Sequence, residues 1–285
     1  MNRLRKWFFF LERRRASLLI TACWVLMFLS ILTVAVHKQA FMQMQLAQRL
    51  RSRGLTPWLA RAAGEYARAE ERYDTTEYDT LAELQREREK QFESGTFRYY
   101  LVDEERKLNI NSATAEMLGR LPGISTAAAE NILKSPGRPF AAVEQLSAVE
   151  GMGMREYEQC KEYVTVQGSG AVNINTAPAP VLQALGMDEE LVGRILEYRA
   201  GLDGREGTAD DRVFEDTQTI LERLRAYTGL FAAQEAQLIA LTSRRKLRVS
   251  AEVLTVEVRA SILGGPEDRY QVTIDAQGIR QWRER

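Results

Sequence analysis

Hydrophobic and polar positions divide the chain into three regimes. Residues 16–36 pass without a charge, and as a helix such a 21-residue run spans about 31 Å at about 1.5 Å per residue, enough to cross a bilayer core. The run continues through His37-Lys38 into residues 38–72, rich in Gln, Arg, Ala and Leu, whose spacing predicts an amphipathic extension of the same helix. Pro57, after Gly54 and Thr56, is expected to kink or interrupt it. A charged helix is expected over 80–92, then an aromatic, β-prone strand over 96–102, then a turn at Asp103-Glu104-Glu105.

Between about 108 and 241 the period is that of short helices, at 115–121, 126–134, 141–148 and 155–164 in the first half. The phrase Asn109-Ile110-Asn111-Ser112-Ala113 returns 64 residues later as Asn173-Ile174-Asn175-Thr176-Ala177, and the same offset lays Leu118 over Leu182 and Leu121 over Leu185. Phe140 and Phe214 each open a stretch ending in an aliphatic residue, Leu146 and Ile220, at an offset of 74. Two copies of one helical unit are expected, about 108–166 and 172–241, with the extra residues of the second in a loop. Ser112 and Thr176 are placed to act as N-caps, and Pro178 and Pro180 suit the turn that follows.

Beyond Ser243 the pattern alternates. Residues 247–262, 270–274 and 279–283 read as an antiparallel meander, turned at Gly264-Gly265-Pro266. One strand before the helical segment and several after it imply a sheet interrupted by an inserted helical domain, hence an α+β chain. The division is a leader at 1–15, a membrane helix at 16–36, a stalk with the first part of the sheet domain at 37–107, an insert at 108–242, and the remaining strands at 243–285.

Charge changes this picture at two places. The chain balances 39 Lys and Arg against 39 Asp and Glu, but residues 1–15 hold six basic side chains against Glu12 alone. A basic flank before an apolar helix places the N-terminus in the cytoplasm and the bulk of the chain across the membrane. A cleaved secretory signal is the rival, but its apolar core would run only about 7 to 15 residues and end at small ones. The insert is acidic: net −2 over 108–166 and net −6 over 172–241.

That acidity bears on Leu121-Pro122-Gly123-Ile124-Ser125 and Val149-Glu150-Gly151-Met152-Gly153, turns of the helix-hairpin-helix kind whose backbone N–H groups can face a nucleic-acid phosphate. Phosphate binding rests on neutralisation by Lys and Arg, so an acidic module repels a duplex and no nucleic acid is expected. Glycine serves these turns as tight helix-to-helix connections.

Catalytic chemistry finds no footing. His37, at the membrane boundary, is the sole histidine, and no phosphate loop, nucleophile elbow or zinc spacing occurs. Cys23 in the apolar helix and Cys160 far along the chain do not suit a disulfide. The loop 201–211 gathers Asp203, Glu206, Asp210 and Asp211 with three glycines, a hard-oxygen set that structural calcium takes. Its spacing is not that of an EF-hand, and a solvated acidic turn is the alternative.

The stretches RRRASLLITACWVLMFLSILTVAV, ARAAGEYARAE, FRYYLVDEERKLNINSA, VNINTAPAPVLQALG, GLDGREGTADDRVF and YQVTIDAQGIRQW together resemble the type II secretion system protein K family. The resemblance implies a minor pseudopilin with a pilin-like long N-terminal helix packed on a small antiparallel sheet and a large all-helical insert of two helix-hairpin-helix or SAM-like repeats. It implies placement at the tip of a periplasmic pseudopilus, inner-membrane anchorage by a single pass, and partnership with other minor pseudopilins, the major pseudopilin and exported proteins. It also implies calcium in the inserted region and cleavage by a prepilin peptidase, here between Ala16 and Ser17, although the family cleaves after glycine. Thr21 then stands fifth, where most pseudopilins carry glutamate. The open alternatives are a membrane-anchored DNA-binding protein of competence type and an uncleaved periplasmic scaffold.

Overall fold

The computed structural model describes residues 2–263 and 265–284, with side chains from Ile20 onward. Helix α1, Asn2–Tyr73, opens the chain. The side chains of Ala16 and Ser17, where cleavage is expected, lie outside the described residues. Contacts divide the chain into two units, the first reaching Leu55 and the second beginning at Thr56.

In the first unit, apolar side chains such as Trp24, Phe28 and Leu32 stand exposed. This is the one helix among the described residues that is long and apolar enough to cross a membrane, with a mean hydropathy of 2.1 in its most apolar window. Two of its polar side chains are satisfied locally: the hydroxyls of Ser30 and Thr33 donate to the carbonyls of Leu26 and Leu29, one turn back, both at 2.8 Å.

The second unit starts inside α1, which runs through Pro57 without a break. The expected interruption is absent. A proline removes one helical hydrogen bond, at a cost of about 3 kcal/mol; here Leu59, Ala60, Ala63 and Ala67 of the following turns are buried and hold the segment in place. After α1 come α2 (Leu81–Leu84), β1 (Arg88–Phe92) and β2 (Gly95–Asp103). The helix expected over 80–92 is thus a single turn followed by a strand. Alternating charges satisfy either period, and β1 is an edge strand whose charged, exposed side chains resist further pairing.

The insert follows: β3 (Leu108–Asn109), α3 (Ala115–Gly119), α4 (Thr126–Lys134), a 3-10 segment Val143–Ala148, α5 (Met154–Cys160) and β4 (Val164–Thr165) form the first repeat. In the second are β5 (Val172–Asn173), α6 (Ala179–Ala184), α7 (Glu189–Arg199), α8 (Ile220–Thr228), α9 (Ala232–Ser243) and β6 (Leu247–Arg248). Each repeat closes on a two-residue parallel bridge, β3 with β4 and β5 with β6. Leu247 and Arg248 therefore close the insert rather than begin the meander. Both repeats share one apolar core, with Leu118, Ile132, Leu146, Leu182, Ile195 and Leu224 fully buried.

The chain then returns as β7 (Val253–Ile262), β8 (Glu267–Asp275) and β9 (Gly278–Glu284). The sheet is antiparallel in the order β1-β2-β7-β8-β9, so its two central neighbours, β2 and β7, are separated in sequence by the whole insert. Small residues of α1 let the helix lie close against one face: a Cβ added at Gly64 would stand 2.8 Å from Cγ1 of Val272.

Candidate functional site

Each repeat is organised by its asparagine phrase. In the first, the Asn109 side chain accepts from the Asn111 N–H at 2.8 Å and donates to the carbonyls of Gln167 and Gly168, while Asn111 exchanges two hydrogen bonds with the backbone of Phe140. In the second, Asn173 accepts from the Asn175 N–H, and Asn175 exchanges the same two bonds with Phe214. The sequence repeat is thus a repeated local hydrogen-bonding scheme, with the phenylalanine backbone as its distant partner. Ser112 and Thr176 are not the N-caps; Thr114 and Pro178 hold those positions. The two hydroxyls bond elsewhere: Ser112 donates to the Asn109 carbonyl, and Thr176 donates to Asp103 at 2.6 Å.

Asp103, Glu104 and Glu105, read from the sequence as a turn, form the junction between sheet and insert, and all three are buried. Asp103 accepts from Asn173 and Thr176 of the second repeat. Glu104 accepts from Thr165 of the first repeat, from Thr255 of β7 and from Lys107. Glu105 accepts from the N–H groups of Glu252 and Val253, where the chain re-enters the sheet. One tripeptide therefore ties both repeats and both central strands.

Burial raises the Asp103 carboxyl above its ordinary value, against the hydrogen bonds of Thr176 and Asn173. Burial and then the nearby Asp103 push Glu105 up to about 7. Glu104 goes the other way: burial raises it, but Lys107 and the hydroxyls of Thr165 and Thr255 outweigh burial and hold it below the usual range. A second pair lies alongside. Burial pushes Asp79 up to about 6, while its Oδ2 accepts from the Ala251 N–H at 2.5 Å; burial, with Asp79 next, pushes Glu71 up to about 7.

The acidic loop is organised around its own backbone. Asp210 accepts from the N–H groups of Leu202 and Asp203 and from the Thr208 hydroxyl, which hold its carboxyl below the ordinary value, the hydroxyl contributing most. Asp211 accepts from the N–H groups of Gly207 and Thr208, and Asp203 from that of Arg205. Glu206 is drawn away to Arg199, at 2.7 Å, whose other terminal nitrogen donates to the carbonyls of Ile174 and Ala177. Arg199 thereby staples the loop to the second asparagine phrase. No group of three or more acidic, histidine or cysteine side chains converges as a metal cage among the described residues. Asp203, Asp210 and Asp211 each accept from backbone N–H groups within one glycine-rich turn.

Both glycine turns adopt the backbone their sequence demands: Gly123 and Gly151 have φ of 78° and 84°, a region costly for other residues. Ser125 caps α4 through the Ala128 N–H. At Gly123 a side chain would also strike the Glu156 carbonyl, 2.6 Å from an added Cβ, so this glycine serves packing between hairpin and α5.

Comparison with known proteins agrees with this geometry. Residues 103–165 match the helix-hairpin-helix motif family, and residues 172–241 match the family of type II secretion system (T2SS), protein K. No curated protein matches the chain. Among solved structures, a chain in the crystal structure of the GspK-GspI-GspJ complex from the enterotoxigenic Escherichia coli type 2 secretion system superposes with a TM-score of 0.59 at 15% identity, covering 88% of this chain and 99% of that one. The second repeat thus matches the protein K family model, and the α+β fold is shared with that chain of the complex over most of its length.

Proposed function

We propose that the protein is a minor pseudopilin that ends the pseudopilus on its periplasmic side. The observation that carries this reading is the combination of exposed apolar side chains along α1 at residues 20–50 with an insert that splits the sheet between β2 and β7. The helix stores the subunit in the inner membrane by a single pass, with the basic leader in the cytoplasm. On extraction its apolar surface packs against equivalent helices of other minor pseudopilins and the major pseudopilin. GspI and GspJ homologues are the partners suggested by the complex in which the similar fold occurs. The insert fills space that a further subunit would need, which favours termination over continued growth, and its acidic surface is available to exported proteins. The role is architectural, not enzymatic.

Thr21 fits a terminal position. In a stacked pilus, the acid at that place neutralises the N-terminal amine of a neighbour; a subunit with none above it has no such amine to satisfy. Prepilin peptidase is the processing partner, acting between Ala16 and Ser17.

The test is deletion of residues 108–241 in cells, with pseudopilus length and secretion as readouts. Longer pili and impaired secretion are expected, whereas normal length and export overturn the capping role. N-terminal sequencing of the protein from cells with and without the peptidase checks the leader: a peptidase-dependent start at Ser17 is expected, and a start at Met1 in both favours a permanently anchored scaffold.

The match of 103–165 to the helix-hairpin-helix motif favours DNA binding as a second reading. The net charges of −2 and −6 on the two repeats oppose it. A gel shift at low salt would support DNA binding, and none is expected. We also propose that the 201–211 loop takes structural calcium through Asp203, Asp210 and Asp211, with Glu206 kept by Arg199.

A further inference from the structure

We propose that the insert is joined to the sheet by a proton-sensitive hinge, in which the carboxylates of Asp79 and Glu105 hold the returning segment 249–253 against the outgoing turn 103–105. The links are specific. Asp79 donates its N–H to the Val249 carbonyl at 2.9 Å and accepts from the Ala251 N–H through Oδ2. Glu105 accepts from the next two N–H groups, of Glu252 at 3.2 Å and Val253 at 3.1 Å. Three consecutive amides of the return crossing therefore depend on two carboxylates.

The groups acting on these carboxylates are mostly acidic, while Arg68, Arg72 and Arg280 line the groove beside residues 251–254. Asp79 faces Asp103, Glu83 and Asp74, and it in turn acts on Glu71, which also faces Asp74, Glu83 and Arg88. Glu105 faces Asp103 and one cation, Arg248, at 3.5 Å; Arg248 is shared with Glu252 at 3.1 Å. Asp103 has Asn173, Thr176 and the same Arg248. Like charges in a poorly solvated crossing repel strongly when all are ionised.

Open space borders the outgoing turn at Glu104 and the returning segment at residues 251–253. A groove of about 860 Å³ separates the first repeat from the sheet face bearing Thr255 and Thr273, and a second of about 680 Å³ borders residues 251–254, with Glu71 in its wall. Across the first groove an ion pair joins Arg283 to Glu144 at 2.7 Å, with Glu144 exposed and Arg283 half-buried. Such a pair is weak and screened by salt, so the buried carboxylates dominate the attachment.

Ionisation of Asp79 and Glu105 falls near neutral pH, since burial pushes them up to about 6 and about 7. A protonated carboxyl still accepts an N–H through its carbonyl oxygen and repels none of its neighbours. Opening the crossing returns both groups to water and lowers their proton affinity, so opening is favoured as pH rises.

The test is hydrogen exchange on the full chain in detergent micelles. Protection of the Ala251, Glu252 and Val253 amides, corrected for intrinsic rates, is expected to fall about tenfold or more from about pH 5 to about pH 8, while the Val256 and Val258 amides within β7 stay protected. The paired substitutions Asp79→Asn and Glu105→Gln should flatten that dependence. Equal protection at both pH values in the wild type, or an undiminished fall in the double variant, overturns the hinge. Should the double variant fail to fold, the wild-type contrast between residues 251–253 and β7 decides the matter alone.

Discussion

Asn175 and Phe214 exchange two hydrogen bonds, the side-chain oxygen accepting from the Phe214 N–H and the side-chain nitrogen donating to its carbonyl, both at 2.9 Å; Asn111 does the same for Phe140. The side chain imitates a strand partner for an isolated stretch of backbone deep in each repeat. Asn175 is buried and also donates to the Val249 carbonyl, whereas Asn111 is half-buried. Asn175→Ala leaves the Phe214 amide and carbonyl without partners, at a cost of about 3 kcal/mol, and Asn111→Ala is expected to cost about half as much. Thermal denaturation of the two variants checks the order. Equal losses would mean that burial does not set the strength of these clamps.

The pH dependence of global stability follows from carboxyls displaced in opposite directions. Glu71 and Glu105 are raised to about 7 and Asp79 to about 6. A carboxyl raised on folding contributes stability that is full below its unfolded value and is lost as pH rises through the folded one. Glu104 is lowered, as is Asp275, where Arg280 and the turn amides outweigh burial; their contribution is present above the unfolded value and lost on acidification. Melting temperature should therefore peak near about pH 5 and decline toward about pH 8. A melting temperature that climbs steadily over that interval would contradict the sign.

Two glycines of α1 separate close packing from helix propensity. At Gly64 an added Cβ meets Val272 at 2.8 Å and Ile279 at 3.3 Å, while at Gly54 nothing stands within 4 Å. Gly54→Ala should stabilise by up to about 1 kcal/mol through propensity. Gly64→Val should destabilise by about 1–3 kcal/mol, because the helix is forced away from the sheet. Denaturant midpoints with unchanged slopes give both values; a stabilising Gly64→Val would show that α1 is not held at close approach.

Local chemistry was legible in the sequence and distant partnership was not. The repeated asparagine phrases identify two units because each Asn closes a turn two residues on, as with Asn109 to Asn111 and Asn173 to Asn175. The interrupted sheet was readable because β2 and β7 carry strand patterns on either side of a helical period. Asp103-Glu104-Glu105 misled because acidic tripeptides usually face water; nothing local announces that Thr165, Asn173 and Thr255 converge on them. Thr176 was misplaced as a cap for the same reason, since its partner Asp103 lies 73 residues away. The alternating charges of residues 88–92 suit a helix as well as a strand, and it is pairing with 95–103 that sets their conformation. For the acidic loop, composition located the oxygens, but not the capture of Glu206 by Arg199.

Calcium affinity of that loop should rest on Asp210 more than on Glu206. The Thr208 hydroxyl and two backbone N–H groups hold the Asp210 carboxyl below its ordinary value, so it stays ionised through the neutral range and no proton must leave when a cation arrives. Glu206 is engaged with the buried Arg199 guanidinium, and releasing it would strip that group of its ion-pair partner. Calcium at about a hundredfold over its dissociation constant stabilises a folded protein by about 2.7 kcal/mol. Melting temperature should accordingly rise with calcium and fall back with a chelator. Asp210→Asn should abolish the response, whereas Glu206→Gln should lower the baseline melting temperature yet keep the calcium increment. An increment lost equally in both variants would place Glu206 among the ligands, and none in the wild type would leave the loop held by its own hydrogen bonds alone.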